Sequence, residues 1–278
     1  MSSDRAARAL PLLVTLLASG AGATAALVLA ASAGAAGSII EVADCAARNL
    51  PPSAHGVAKL VTRSGDGAEH ALEVDYWSRT DEPGTRRIVI AERAAPDDTT
   101  SAYLFSDGDA IGEVWAFTRA DGKARRIQAT GDDARLFGSS MSLEDFARFA
   151  RVVFPGQVRR LDDAEIGGRK VYVIETRPAP DAGSEYARIV TSIDREWCMI
   201  LRRESFDASF AKGERARKIY TVEPKDVRVD GKFANPKRAR QDDAKDGSST
   251  QMQVLELELP AKVEEAFFTP DALSRASH

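Results

Sequence analysis

Apolar and polar positions alternate along much of this chain. Near the C-terminus, Leu255, Leu257 and Leu259 alternate with Glu256 and Glu258. A period of two puts one set of side chains on the dry face of a strand and the other on its wet face. Leu72, Val74 and Tyr76 alternate in the same way with Glu73, Asp75 and Trp77. Further strands are expected over 87–92, 101–106, 114–118, 170–176, 188–193, 199–206, 218–222 and 252–259. Between them lie short turn signals, among them Gly65-Asp66-Gly67, Asp107-Gly108, Asp121-Gly122, Gly167-Gly168 and Asp230-Gly231. Turns this short join antiparallel strands, whereas parallel strands need a crossover of about a dozen residues or more. The expectation is a mainly β protein of the α+β class, built on an antiparallel sheet.

Three segments leave the period of two. Ile39, Val42, Ala43, Ala46 and Leu50 recur at helical spacing until Pro51-Pro52, so a helix is expected over 38–50. Ser142-Leu143-Glu144-Asp145 has an N-cap serine with an acidic residue three positions on. Leu143, Phe146, Phe149, Ala150 and Val153 then follow at spacings of three and four, and Pro155-Gly156 stops the run. This helix carries two phenylalanines on one face. It either packs into the core or lids a half-open barrel whose cavity is apolar. A short helix is expected after Thr269-Pro270-Asp271, and 235–249, rich in both charges, reads as a solvated loop.

The N-terminus has another pattern. After Arg5 and Arg8 no charge occurs from Leu10 to Ala36, and the run closes on Ala31-Ser32-Ala33 and Ala33-Gly34-Ala35. A positive start, an apolar stretch and a small-x-small ending make a secretory signal. The expectation is a signal peptide over 1–36, cleaved near Ala35 or Ala36, and one domain over 37–278. An uncleaved N-terminal anchor is the alternative, since the run exceeds the ~20 residues that span a bilayer. Either way the remainder lies outside the cytoplasm. There Cys45 and Cys198 could form a disulfide; two separate buried thiols are the alternative, and a lipid attached at Cys45 is a third, weaker reading because Asp44 stands where lipidation signals have a small residue.

Composition narrows the function classes. The chain has 278 residues, 44% of them hydrophobic, enough for a sizeable core. A net charge of -4 lacks the footprint of a nucleic-acid binder. The three histidines, His55, His70 and His278, stand in no motif, which leaves a histidine triad or a zinc site poorly supplied. No cofactor, metal site or catalytic residue is expected. Gly138-Ser139-Ser140 has no base nearby in sequence, and a hydrolase using Ser139 is the weakest reading. Two groups stand out. The expected cavity residues are Leu72, Val74, Tyr76, Trp115, Phe117, Phe146, Phe149, Leu255 and Leu257, with the inward strand face set by parity, which a slip of one residue inverts. Arg119, Lys123, Arg125 and Arg126 form a basic hairpin, read either as a solvated turn or as a docking patch for an acidic partner or an anionic lipid head group.

An ordered set of segments resembles the outer-membrane lipoprotein-sorting family, the LolA-like periplasmic carriers, and among them the subgroup associated with RND-type exporters. It comprises Val74-Asp75-Tyr76-Trp77-Ser78-Arg79, Val114-Trp115-Ala116-Phe117, Phe137-Gly138-Ser139-Ser140-Met141-Ser142-Leu143-Glu144-Asp145-Phe146, Gly168-Arg169-Lys170-Val171-Tyr172-Val173-Ile174-Glu175 and Phe267-Phe268-Thr269-Pro270-Asp271. The resemblance implies an unclosed LolA/LppX-like half-barrel with a helical lid. It implies a periplasmic, monomeric carrier of lipoprotein acyl chains or another lipid, not an enzyme. It implies as partners the lipid or lipoprotein cargo, and an inner-membrane RND-type exporter or an outer-membrane acceptor. An accessory protein that docks to such an exporter without carrying cargo is the alternative. Ser140, Met141 and Leu143 stand where the family commonly has Asp, an aromatic and Tyr, so the cargo is left open.

Overall fold

A computed structural model describes residues 33–82, 85–96, 99–106, 112–131, 134–150 and 156–277. The signal-peptide expectation falls almost entirely on residues 1–32, outside the described residues. Helix α1 (Ala33–Arg48) opens the described chain. Six strands follow: β1 (Ser53–Arg63), β2 (Glu69–Glu82), β3 (Thr85–Glu92), β4 (Thr100–Ser106), β5 (Glu113–Thr118) and β6 (Lys123–Ile127). A short helix α2 (Leu143–Ala147) interrupts them and runs into one 3-10 turn, Arg148–Ala150. The second half holds β7 (Gly156–Arg160), β8 (Ala164–Ile166), β9 (Arg169–Pro178), β10 (Arg188–Asp194), β11 (Ile200–Phe206), β12 (Lys218–Thr221), β13 (Val227–Asp230), β14 (Phe233–Pro236), β15 (Arg238–Asp243) and β16 (Ser248–Glu258). Helix α3 (Leu273–Ala276) closes it. No described helix is long and apolar enough to cross a membrane.

The strands form one curved antiparallel sheet in the order β6-β5-β4-β3-β2-β1-β16-β15-β12-β11-β10-β9-β7, with β8 beside β9 and the β13–β14 hairpin apart. Its two edges, β6 and β7, do not pair, so the barrel is left open. The first half is a meander, as the short turns require. The two halves are joined where the last strand returns to the first: β16 pairs with β1 from His55↔Glu258 to Arg63↔Ser249.

The alternation fails where both faces are covered. Ile88, Ile90, Tyr103, Phe105, Val114 and Ala116 fill the concave side. Val89, Ala91, Ala102, Leu104 and Phe117 fill the convex side, beneath Phe268, Leu273 and Ala276 of the C-terminal segment. Strands buried on both faces read as continuous apolar runs, and Ile88-Val89-Ile90-Ala91 is such a run.

Two expectations change. The 235–249 stretch is no solvated loop, because β15 sits between β12 and β16. Arg238, Arg240 and Asp242 point outward while Ala239, Gln241 and Asp243 are buried. Asp243 is tolerated inside because Lys218 and Arg217 are its salt-bridge partners. The expected lid helix is also shorter than its apolar spacing suggested, with α-helix ending at Ala147. Its Val153 and Pro155 lie outside the described residues.

Candidate functional site

The concave face encloses an apolar cavity of about 230 Å³. Its floor is Ala58 and Leu60 of β1, Val74 and Tyr76 of β2, Ile88 and Ile90 of β3, and Met252 and Val254 of β16. Ala46 and Leu50, at the end of α1, form one side with Cys198 and Met199. Leu136, Met141, Phe146 and Phe149, around α2, form the other.

Sequence dictates how the α2 side is held. Ser142 caps the helix: its hydroxyl accepts from the Asp145 N–H at 3.1 Å, and the Asp145 carboxylate accepts from the Ser142 N–H at 2.9 Å. That carboxylate also accepts from Lys218 at 2.8 Å, Tyr186 at 2.7 Å and Gln241 at 3.1 Å. Burial alone would raise the Asp145 pKa. The Lys218 charge and the hydrogen bonds of Lys218, Tyr186 and Ser142 outweigh it and hold Asp145 below the usual carboxylate range. Its neighbour Glu144 is fully buried and accepts from Arg148 Nε at 2.8 Å and from the Glu185 N–H at 2.8 Å. Five residues of helix are therefore tied to the sheet by the Asp145–Lys218 pair, while the Glu144–Arg148 pair closes the helix on itself and Glu144 also holds the loop before β10.

The clamp places a row of rings across the opening. Phe105 of β4 meets Phe146 at 4.9 Å between centroids, Phe146 meets Phe149 at 6.2 Å, and Phe149 meets Tyr220 of β12 at 4.7 Å. Such contacts contribute ~0.5–1.5 kcal/mol each beyond area burial. The row links the two halves of the sheet over the cavity. Beneath it, burial first and the Arg148 charge second pull Arg203 down to about 10. Burial pushes the Tyr76 phenol up to about 12 against the opposing charges of Arg86 and Arg228.

On the α1 side, Cys45 and Cys198 are joined by a disulfide with Cα atoms 5.0 Å apart. Asp194 orients the turn that carries Cys198, accepting from the Glu196 and Trp197 N–H groups at 2.9 and 2.7 Å and from Arg169 at 2.6 Å.

Of the nine cavity residues expected from sequence, Val74, Tyr76, Phe146 and Phe149 line the cavity. Leu72 packs on the same core cluster but is not part of the wall. Trp115 and Phe117 lie on the opposite face of β5, under the C-terminal segment, where Phe268 and Leu273 join their cluster. Leu255 falls at a bulge, opposite the register shift between Val57 and Ala58, and is left 42% exposed. Leu257, beyond the bulge, pairs with Gly56 outside the cavity wall. Met252 and Val254, the other parity of β16, take the place expected of the leucines. Sequence reading also missed β1 as a strand and with it Ala58 and Leu60, because Gly56, Ala58 and Lys59 dilute its pattern.

The basic residues sit in the β5–β6 hairpin at a sheet edge. Arg119 donates to the Ser277 hydroxyl and the Ala95 carbonyl, Arg125 pairs with Asp121 at 2.6 Å and Arg126 with Glu113 at 3.1 Å. Charges on an edge strand discourage pairing with another chain. The Ser139 hydroxyl is occupied within its own loop, donating to the Met141 carbonyl at 3.4 Å and accepting from the Met141 N–H at 3.2 Å.

A family model whose description reads uncharacterized protein matches residues 84–275. No curated protein matches the chain. Among solved structures it is similar to an outer-membrane lipoprotein-sorting protein domain from Vibrio parahaemolyticus, at 19% identity and a TM-score of 0.70, covering 85% of this chain and 98% of that one. A DUF1329 family protein from Desulfovibrio piger gives 17% identity and a TM-score of 0.70, covering 84% and 98%. A LolA superfamily protein from Nitrosomonas europaea gives 16% and 0.63, covering 84% and 97%. At these identities the likeness concerns the fold.

Proposed function

The chain belongs to the family whose model spans residues 84–275 and folds as the lipoprotein-sorting and LolA-superfamily proteins do, and from that premise we propose that it is a carrier of the cell envelope, holding the hydrocarbon chain of a lipid or lipoprotein while it crosses water. One observation carries this reading: an apolar cavity on the concave face of an open sheet, bounded by α1 on one side and the phenylalanine turn on the other. Moving apolar surface from water into such a cavity gains ~25 cal/mol per Å². No bond is made or broken, and the two buried carboxylates of α2 are already held by Lys218 and Arg148. The Cys45–Cys198 disulfide supports an oxidising compartment such as the periplasm. The N-terminal signal pattern supports export, and transfer of cargo toward the outer membrane is the direction this reading takes.

Native mass spectrometry of the protein purified from its own envelope fraction, followed by lipid extraction, tests the proposal. A stoichiometric lipid is expected, and Val254→Trp, which fills the cavity from β16, should expel it while the fold is kept. A folded wild-type protein that arrives empty and also takes up neither an alkanol nor a fatty acid would end the carrier reading.

A further inference from the structure

The lining of the cavity is not apolar throughout. Arg86, on the concave side of β3, lines it beside Ser78 and Tyr76. Its guanidinium donates to the Ser78 hydroxyl at 2.7 Å. Its Nε has no hydrogen-bond partner. The neighbouring arginines differ: Arg87 pairs with Asp81 at 2.6 Å, and Arg228 is held by Asp230 at 2.6 and 3.1 Å. Among the described residues no carboxylate stands against Arg86. The group that acts on its charge is the Tyr76 phenol.

Arginine stays charged in a protein. A guanidinium without a counter-charge beside an apolar pocket is unfavourable. A well-packed fold can neutralise such a position with an acidic side chain, as it does for Lys218 with Asp145. At Arg86 the position opposite is open cavity. Desolvation lowers the arginine pKa there, with the phenol acting the other way.

We propose that Arg86, with the Ser78 and Tyr76 hydroxyls, binds the anionic head of a single-chain amphiphile whose hydrocarbon tail occupies the cavity. This rests on the carrier reading and names the chemistry of the cargo. The volume supports one chain. An apolar cavity of ~150 Å³ holds benzene, and this one, at about 230 Å³, is half as large again. A single hydrocarbon segment fits, where several chains side by side would need the sheet to open. The head is a singly attached oxyanion, either carboxylate or phosphate. The fork of Arg86 meets two of its oxygens, and the hydroxyls meet what remains.

The test is competition binding of dodecanoate, dodecyl phosphate and dodecanol to the full protein, wild type and Arg86→Met, with thermal melting to confirm that the variant folds. Wild type should prefer the anions over the alcohol by about tenfold or more, the size of a charge-assisted hydrogen bond. Arg86→Met should lose that preference and keep the affinity for dodecanol. Arg86→Lys, which keeps the charge without the fork, should retain part of it. Stronger binding of one anion identifies the head as carboxylate or phosphate. Equal affinity for dodecanol and dodecanoate in wild type, or an anion preference unchanged in Arg86→Met, would overturn the anchor and leave the carrier standing. Failure of wild type to bind all three would remove both. If Arg86→Met does not fold, the comparison of the three ligands on wild type and on Ser78→Ala decides alone.

Discussion

Lys218 of β12 donates to Asp145 of α2 at 2.8 Å, and both side chains are buried. This contact ties the only α-helix between α1 and α3 among the described residues to the second half of the sheet. It thereby sets the height of Phe146 above the cavity. Removing one partner of a buried pair costs about 3–5 kcal/mol, because the other charge remains without compensation. Lys218→Met should therefore destabilise strongly. Asp145→Asn combined with Lys218→Met should cost less than the sum of the two single changes, with a coupling of about 2 kcal/mol. Urea denaturation of the four proteins of this cycle measures it, and strict additivity would show that the pair does not act as a unit.

The same carboxylate sets an acid limit. Asp145 is held below its ordinary value in the folded state, where the Lys218 charge overcomes the opposing effect of burial. Asp194 is likewise depressed, with burial opposing and the Arg169 hydrogen bond prevailing. A depressed folded pKa contributes stability that is complete above the unfolded value, about 3.9 for Asp. That stability is lost as pH falls through the folded value. Stability should be flat with respect to these groups from neutral pH to about pH 5 and should decline below about pH 4. Chemical denaturation at a series of pH values follows it, and Asp145→Asn should flatten the acid limb.

Much of this fold is legible in the sequence, and the exceptions have physical causes. The strands β3, β4, β5, β9, β10, β11, β12 and β16 are all expected within a few residues of where they lie. Hairpin turns and alternation are local, so they survive without knowledge of the partner strand. The cavity is less legible. Parity places Val74 and Tyr76 on the concave side, but the same logic on β16 picks Leu255, since the bulge opposite Val57 and Ala58 is invisible in a single strand. Trp115 and Phe117 mislead for another reason. The C-terminal segment covers the convex face, so large apolar residues there are core. β15 is hidden because its inward Asp243 is neutralised by Arg217 and Lys218, residues distant in sequence.

The disulfide should matter for stability as well as for the shape of the cavity. It closes a loop of 153 residues between α1 and the β10–β11 turn. In the chain-entropy treatment a loop of that length is worth about 5 kcal/mol at most. Reduction should shift the urea midpoint down sharply. A Cys45→Ser, Cys198→Ser protein should start from that lower midpoint and ignore reductant. It should also bind cavity ligands more weakly, because Ala46 and Leu50 are no longer fixed against Met199. A reductant-insensitive wild type would mean that packing of Val42 on Ile174 and Ile193 holds α1 by itself.

Gly56 controls the floor of the cavity. It lies opposite Tyr76 in the β1–β2 register, and the ring folds over it. A Cβ built at Gly56 would sit 2.4 Å from Tyr76 Cζ and 2.5 Å from its hydroxyl. Those distances are too short for any side chain, so Gly56→Ala must push the ring away from β1. The space available to it is the cavity, whose wall Tyr76 already forms. Overpacking of this kind costs about 1–3 kcal/mol. Its larger effect should be on ligand: Gly56→Ala is expected to weaken binding of a fluorescent fatty acid by tenfold or more, through lost volume. Adding Tyr76→Leu removes the displaced ring and should restore uptake of a neutral alkanol. It should not restore any affinity that the phenol supplies to an anionic head. A Gly56→Ala protein that binds both ligands as wild type does would show that Tyr76 moves outward instead, and that the floor yields without closing the site.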